Sequence, residues 1–129
     1  MPLPPPPPVL EVYYAPNCAP CQLELPAVAE FAQLPGSRVT MIIVSEEEKA
    51  REELRAAHPA LEAGAVARIT DRPGDVLREA GSAYGLLPFA RVISREGTIC
   101  AKWSGRLSFP KAYDMVATCH LMSISNPPR

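Results

Sequence analysis

The sequence predicts an α/β domain built on one central mixed sheet, with helices on both of its faces. Three observations point there. Apolar spacing alternates along the chain between short strand-like runs and helical stripes, in the order β-α-β-α-β-α-β-β-α. The continuous run Met41-Ile42-Ile43-Val44 suits a strand covered on both faces, which implies parallel pairing. Further along, Arg95-Glu96-Gly97 is a connection short enough to fold its flanking runs into an antiparallel hairpin.

Taken in order, Val9 to Ala15 is rich in β-branched and aromatic residues and is closed by Pro16 and Asn17, so it reads as a buried strand feeding a turn. A helix is expected from Ala19 to Leu34, where Leu25, Val28 and Ala32 recur at helical spacing before Pro35-Gly36 stops the run. Pro26 inside it removes a backbone hydrogen bond and should kink it. Arg38 to Val44 is the second strand. Ser45 can cap the next helix, with Glu46, Glu47 and Glu48 at its positive end and Ala50, Leu54 and Ala57 facing inward until Pro59. Ala65 to Thr70 reads as a short strand, and Gly74 to Tyr84 as a helix presenting Val76, Ala80 and Ala83 and ended by Gly85. Phe89 to Ser94 and Thr98 to Ser104 make the hairpin. Ser108 caps a last helix whose stripe is Ala112, Met115, Cys119 and Met122, and Asn126-Pro127-Pro128 ends the ordered chain.

At 129 residues the chain suits one domain, with a core able to carry the fold without structural disulfides or metals. The expected boundaries are a proline-rich arm over 1–8, the domain over 9–125 and a tail over 126–129. Pro2 and Pro4 to Pro8 supply the arm, an extended polyproline II segment read as a spacer in preference to a recognition ligand. A net charge of -1 and a pI near 6.1 leave no basic field for nucleic acid or an anionic membrane. No apolar stretch approaches the roughly 20 residues that cross a bilayer, and Met1 to Pro8 lacks the pattern of a signal peptide. A monomer is expected.

The chemistry is concentrated in Cys18-Ala19-Pro20-Cys21. Such a pair serves metal ligation, a structural bridge or redox exchange, and the spacing does not choose among them. A closed zinc site wants four ligands, whereas Cys100, Cys119, His58 and His120 are scattered, so no metal and no other cofactor is expected. Where a strand hands over to a helix, Cys18 would sit against free N–H groups at the positive end of the helix, which favour thiolate over thiol. Cys18 is then the nucleophile, and Cys21, one turn on, the resolving cysteine. Pro16, Asn17, Ala19 and Pro20 shape the turn. Pro20 fits a first helical turn because its missing N–H has no intrahelical partner there.

The run Val9-Leu10-Glu11-Val12-Tyr13-Tyr14-Ala15-Pro16-Asn17-Cys18-Ala19-Pro20-Cys21, with Pro26 five positions later, resembles the active-site strand and helix of thioredoxins. Leu86-Leu87-Pro88-Phe89-Ala90-Arg91-Val92-Ile93-Ser94-Arg95-Glu96-Gly97 is similar to their cis-proline segment and hairpin, and the extra strand-helix unit between is similar to that of TlpA-like reductases. Nearly everything after the arm is covered. The resemblance implies a thioredoxin-like fold with one inserted strand-helix unit. It also implies a cis peptide bond at Pro88, and backbone of Leu87 that pairs with the partner polypeptide. The activity it implies is disulfide oxidoreduction, in the reducing direction, on protein thiols and disulfides, served by a redox donor protein. It points to the periplasm where a leader has been removed; the chain as written, without signal or span, otherwise points to the cytoplasm. The alternative from another class is a non-catalytic protein of the same fold that binds a partner or a metal.

Where thioredoxins usually carry Trp before the first cysteine this chain has Asn17, and their buried acid would fall at Val12. Glu11 points to the opposite strand face from Val12, so the proton acceptor stays unassigned. Cys119 is expected to pack in the core as a thiol, with a Cys100–Cys119 bridge the lesser alternative. His58 and His120 are read as solvated or capping residues, and Trp103 as packing with Ile99 on one face of the hairpin. Tyr13 and Tyr14 should face opposite sides of the sheet.

Overall fold

The computed structural model describes residues 7–45, 49–61, 65–67 and 73–125. Its elements are β1 (Val9–Tyr14), α1 (Ala19–Ala32), β2 (Val39–Val44), α2 (Lys49–Ala57), β3 (Ala65–Ala67), α3 (Pro73–Glu79), β4 (Phe89–Ile93), β5 (Ile99–Ser104) and α4 (Phe109–Ser125). This is the element order expected from periodicity. The strands form one sheet in the order β3-β2-β1-β4-β5. β1 pairs parallel with β2, which pairs parallel with β3, while β4 runs antiparallel to both β1 and β5.

Period-2 alternation along the central strands builds two cores. Leu10, Val12, Tyr14, Met41 and Ile43 face α1, α2 and α4, where they meet Leu25, Val28, Leu54, Ala112 and Met115. Tyr13, Ile42 and Val44 face the other way, onto Leu77 and Ala80 of α3 and the ring of Phe89. The two tyrosines divide between the faces as expected, and helices cover both.

Several boundaries shift for local reasons. α1 stops at Ala32, because the Ser37 hydroxyl donates to the carbonyls of Ala32 (3.0 Å) and Leu34 (2.7 Å) and Gly36 turns the chain at φ +79. The expected inward Ala57 is exposed, since α2 ends there and Leu61, buried just beyond, covers that edge of the core. Glu46 to Glu48 and residues 68–70 lie outside the described residues. α3 ends not at Gly85 but at Gly81: the Gly81 N–H donates to Arg78 O (3.0 Å) and the Ser82 N–H to Leu77 O (2.9 Å), the paired bonds of a Schellman cap, with Gly81 at φ +109. Leu77 replaces Ala83 on the buried face, and Ala83 and Tyr84 are left exposed. Met122, placed on the inner stripe of α4 from its spacing, is also exposed. Ser108 does cap α4, its Oγ accepting the Lys111 N–H at 3.2 Å.

The hairpin carries a bulge. Ile93 pairs with Ile99 while Val92 pairs with Ala101, so Cys100 is the extra residue. Alternation is broken at that point, and the expected Trp103–Ile99 packing is not formed. Ile99 reaches toward Gly81 beside Lys102. Trp103 instead lies under the Lys111 ammonium, 4.3 Å from the ring centre, and donates through Nε1 to Arg106 O at 3.1 Å. The bulge also delivers Cys100 to Cys119, and the two are joined in a disulfide with Cα atoms 5.6 Å apart. Cys119 is buried in the core as expected, but as half of this bridge rather than as a free thiol.

The bridge ties the edge strand β5 to α4 across a separation of 19 residues, a loop for which chain-entropy arguments give about 3 kcal/mol. A Cys100→Ala/Cys119→Ala double variant should unfold at lower urea, with a loss of about that size, measured under conditions that keep Cys18 and Cys21 oxidised in both proteins.

Candidate active site

The site begins where β1 leaves the sheet. Tyr14 and Ala15 are buried, Pro16 and Asn17 turn outward, and the Cys18 N–H closes the turn onto Ala15 O at 3.1 Å. Gln22, one helical turn on, ties the turn to both its flanks: its Nε2 donates to Tyr14 Oη (2.6 Å) and to Pro16 O (3.1 Å). Burial raises the Tyr14 phenol above its ordinary pKa, so the acceptor of that bond stays neutral.

Cys18 is the N-cap of α1. Its backbone is extended (φ -100, ψ 104), its carbonyl accepts the Gln22 N–H at 3.1 Å, and its Sγ accepts the Cys21 N–H at 3.2 Å. The sulfur takes the place that a Ser or Asp oxygen usually fills at a helix start. Ala19 and Pro20 are exposed in the first turn, and Pro20 brings no N–H to compete for that position. Cys18 and Cys21 are joined in a disulfide with Cα atoms 5.2 Å apart. Their accessibility differs: Cys21 is 0 % exposed, while Cys18 is partly open to solvent.

One group at this site escaped the sequence reading. Glu24, three residues after Cys21 and on the same buried face of α1, is 1 % exposed, and its Oε2 accepts the Leu107 N–H at 2.7 Å. Burial raises its carboxyl to about 7, against the opposing pull of the Leu107 N–H and the Arg106 charge. The available signal was its place at i+3 from Cys21 on the stripe that also carries Leu25 and Val28. Glu11, by contrast, is held on the α3 face, accepting from Arg91 Nε at 2.7 Å, while Arg91 Nη1 donates to Ala80 O at 2.9 Å. It is remote from the cysteines, as strand alternation required.

The second half of the site is the segment before β4. The Leu87–Pro88 peptide bond is cis, and Pro88 O accepts the Gly105 N–H at 3.0 Å. Upstream, the buried Ser82 Oγ accepts the Gly85 N–H at 3.1 Å. Gly85 has φ +64, and a Cβ there would lie 2.9 Å from Gly74 O, so only glycine lets this segment close on the start of α3. Leu86 then projects outward, 67 % exposed, and Leu87 packs partly against both cores. Leu87, Pro16 and Asn17 line one cleft, so the fold unites the two motifs across about 70 positions of sequence. His58 and His120 lie elsewhere, at the end of α2 and on α4. Among the described residues no three of His, Cys, Asp and Glu gather where they could hold a metal ion.

No family model and no curated protein matches the sequence. Solved structures do match the fold. A thioredoxin-related protein from Neisseria meningitidis serogroup B is 21% identical, with 89% of this chain and 86% of that one covered at a TM-score of 0.71. DsbF of MTB, solved in mixed oxidised and reduced forms, is 22% identical over 88% of this chain and 81% of its own, at 0.68. A thio-disulfide isomerase from Thermus thermophilus is 23% identical over 87% and 78%, at 0.67. The chain has a thioredoxin fold.

Within this thioredoxin fold the cap sulfur, the buried Cys21 and the cis-proline segment sit at the carboxyl end of β1, the position at which open α/β sheets carry their reactive groups. Val12, at the place of the usual acid, is wholly buried and apolar, and Glu24 of α1 is the buried carboxyl among the described residues. Because folding raises Glu24 from 4.5 to about 7, the folded chain holds its proton where the unfolded chain has lost it. Stability should therefore fall as pH rises from 4.5 to 7 and level off above. Glu24→Gln, which keeps an acceptor for Leu107, should flatten that slope and exceed the wild type by about 3 kcal/mol at pH 8, with little difference at pH 4, in urea titrations at the two pH values.

Proposed function

We propose that the chain is a thiol-disulfide oxidoreductase that acts on protein disulfides by dithiol exchange through Cys18 and Cys21. The observation that carries this reading is the asymmetry of the pair: a partly open sulfur that caps a helix and accepts a backbone N–H, beside a sealed one. An N–H and a helix N-terminus aimed at Cys18 Sγ favour the thiolate, and a thiolate is the attacking species.

In the reducing direction the Cys18 thiolate bonds to one sulfur of a substrate disulfide, and the other substrate sulfur leaves as a thiolate. Cys21 gives up its proton and attacks Cys18. The mixed disulfide breaks, the second substrate sulfur departs, and the Cys18–Cys21 bond holds the two electrons' worth of oxidation taken from the substrate. A donor protein dithiol then reopens the pair. Glu24 is the acceptor we assign to the Cys21 proton. A carboxyl near 7 on the same helix face gives and takes a proton at neutral pH with little driving force lost. Leu87 and Pro88 position the extended substrate chain, Pro16, Asn17, Ala19 and Pro20 hold the turn, and no cofactor beyond the disulfide is required. The partners are polypeptides and the working unit a monomer, with 9–125 as the domain. No described helix is long and apolar enough to cross a membrane. A second disulfide, Cys100–Cys119, favours an oxidising, extracytoplasmic setting.

Insulin reduction driven by dithiothreitol tests the reading. The wild type should accelerate precipitation of the insulin B chain, Cys18→Ser should abolish the acceleration, and reduced Cys21→Ser, mixed with insulin after the dithiothreitol is removed, should accumulate a covalent adduct that added dithiothreitol cleaves. An intact pair with no turnover, or stoichiometric zinc bound to it, would overturn the assignment.

A further inference from the structure

The chain passes from β5 to α4 through Gly105-Arg106-Leu107, and each of these residues is engaged in a hydrogen bond. The Gly105 N–H donates to Pro88 O at 3.0 Å, Arg106 O accepts from Trp103 Nε1 at 3.1 Å, and the Leu107 N–H donates to Glu24 Oε2 at 2.7 Å. One end of the run therefore rests on the cis-proline segment and the other on the buried carboxyl of α1. Gly105 turns out of β5 at φ +115, a backbone that suits glycine, and Leu107 is sealed in the larger core. Arg106, between them, is exposed, and its carbonyl is fixed by the Trp103 ring.

Trp103 belongs to neither core. Paired with Ala90 of β4, it stands on the side of the sheet that α1 and α4 cover, yet it is 36% exposed. Lys111, in the first turn of α4, places its ammonium 4.3 Å from the ring centre, and the N–H of the same residue is capped by Ser108 Oγ. The indole is thus pinned by α4 while its own N–H holds Arg106. A tryptophan so placed orders the entry to α4 in place of filling a core.

That order bears on Glu24. Cys21 and Tyr14 are the titratable groups of the same core, Tyr14 with its phenol held by Gln22, and Arg106 is the charged group at its edge. Among the described residues, β2, α2 and α4 turn apolar side chains and the bridged Cys119 into that core. Burial raises the Glu24 carboxyl to about 7, and the two groups that oppose the rise, the Leu107 N–H and the Arg106 charge, are both carried by the run that Trp103 fixes.

We infer that Trp103 is a positioning residue for the buried acid: by holding the Arg106 carbonyl it keeps the Leu107 N–H on Glu24 and the Gly105 N–H on Pro88. The inference rests on the reading of Glu24 as acceptor of the Cys21 proton and adds what holds that acceptor in place. The proton still passes from Cys21 Sγ to a Glu24 oxygen as Cys21 bonds to Cys18. Trp103 sets the pH at which the carboxylate is there to take it, and the acid shares one linker with the cis-proline backbone.

The test uses the full chain. In the oxidised protein, NMR titration of isotope-labelled glutamate carboxyls reads the Glu24 midpoint. In the reduced protein, dithiobis(nitrobenzoate) releases one thionitrobenzoate when Cys18 attacks it and a second when Cys21 closes the disulfide, so the pH profile of the second release reads the proton acceptor. Trp103→Phe keeps a ring under Lys111 and removes the N–H. It should raise the Glu24 midpoint by about half a pH unit or more and carry the second-release profile upward with it, whereas in a Glu24→Gln background it should leave that profile unchanged. Trp103→Leu serves should Trp103→Phe fail to fold, as judged by its melting transition. A Glu24 midpoint that stays in place in the folded variant, or a second release that shifts equally with and without Glu24, would overturn the role of Trp103. A midpoint that moves while Glu24→Gln keeps the wild-type release profile would overturn Glu24 as acceptor and the inference with it, and absence of a second release from the wild type would overturn the redox reading itself.

Discussion

The fold's chemistry depends on one hydrogen bond, from the Cys21 N–H to Cys18 Sγ at the start of α1. A helix leaves its first N–H groups without intrahelical partners, and an oxygen from Ser or Asp normally satisfies one of them. Here a sulfur does so, and the group that satisfies the helix is thereby the group the helix polarises. The same backbone conformation that caps α1, with Cys18 extended and its carbonyl already accepting from Gln22, also brings the i+3 cysteine within bonding reach. Capping, thiolate stabilisation and ring closure are three consequences of one local geometry, and the Gln22 bonds to Tyr14 and Pro16 fix that geometry against the strand.

Burial sets the two sulfurs apart. Cys21 faces the core with Leu25 and Val28, where solvent reaches neither it nor Glu24, and charge is costly on both. A carboxyl in that setting is neutral at low pH at little cost and is charged above neutral only at the expense of stability. The N–H of Leu107 offsets part of this expense. Leu107 belongs to the segment that enters α4, and α4 is fastened to β5 by Cys100–Cys119. The second disulfide thus bears on the helix whose approach presents that N–H, although it lies far along α4 from the carboxyl.

What the sequence discloses is whatever rests on local pattern. The strand-turn-helix around Cys18, the alternation that separates Tyr13 from Tyr14, and the short hairpin connection were all readable because period and turn residues act within a few positions. The misreadings arose where a single residue interrupts a period. Cys100 inserts a bulge that reverses the face of Ile99 against Trp103 and carries its own sulfur to Cys119, and no alternation rule registers an insertion whose partner strand is unseen. Gly81 ends α3 with two crossed hydrogen bonds before Gly85 is reached; two glycines offered the same stop signal, and only packing selected the first. Glu24 was passed over because a charged residue amid a helical stripe ordinarily snorkels to solvent, and its burial is decided by Leu107, which lies 83 positions away.

Sealed and open surroundings meet at the cysteine pair. Cys21 and Glu24 share a sealed face of α1, where no bulk water competes with the carboxyl. Beside the Asn17 turn and Leu87 the sheet's two parallel strands end and the chain leaves space. An acid beside that space would be open to solvent and held near its ordinary pKa, whereas burial raises Glu24 to about 7. Both follow from a helix that starts where the parallel strands β1 and β2 end: its buried face packs on the larger core, and its first turn leaves Cys18 partly open beside that core.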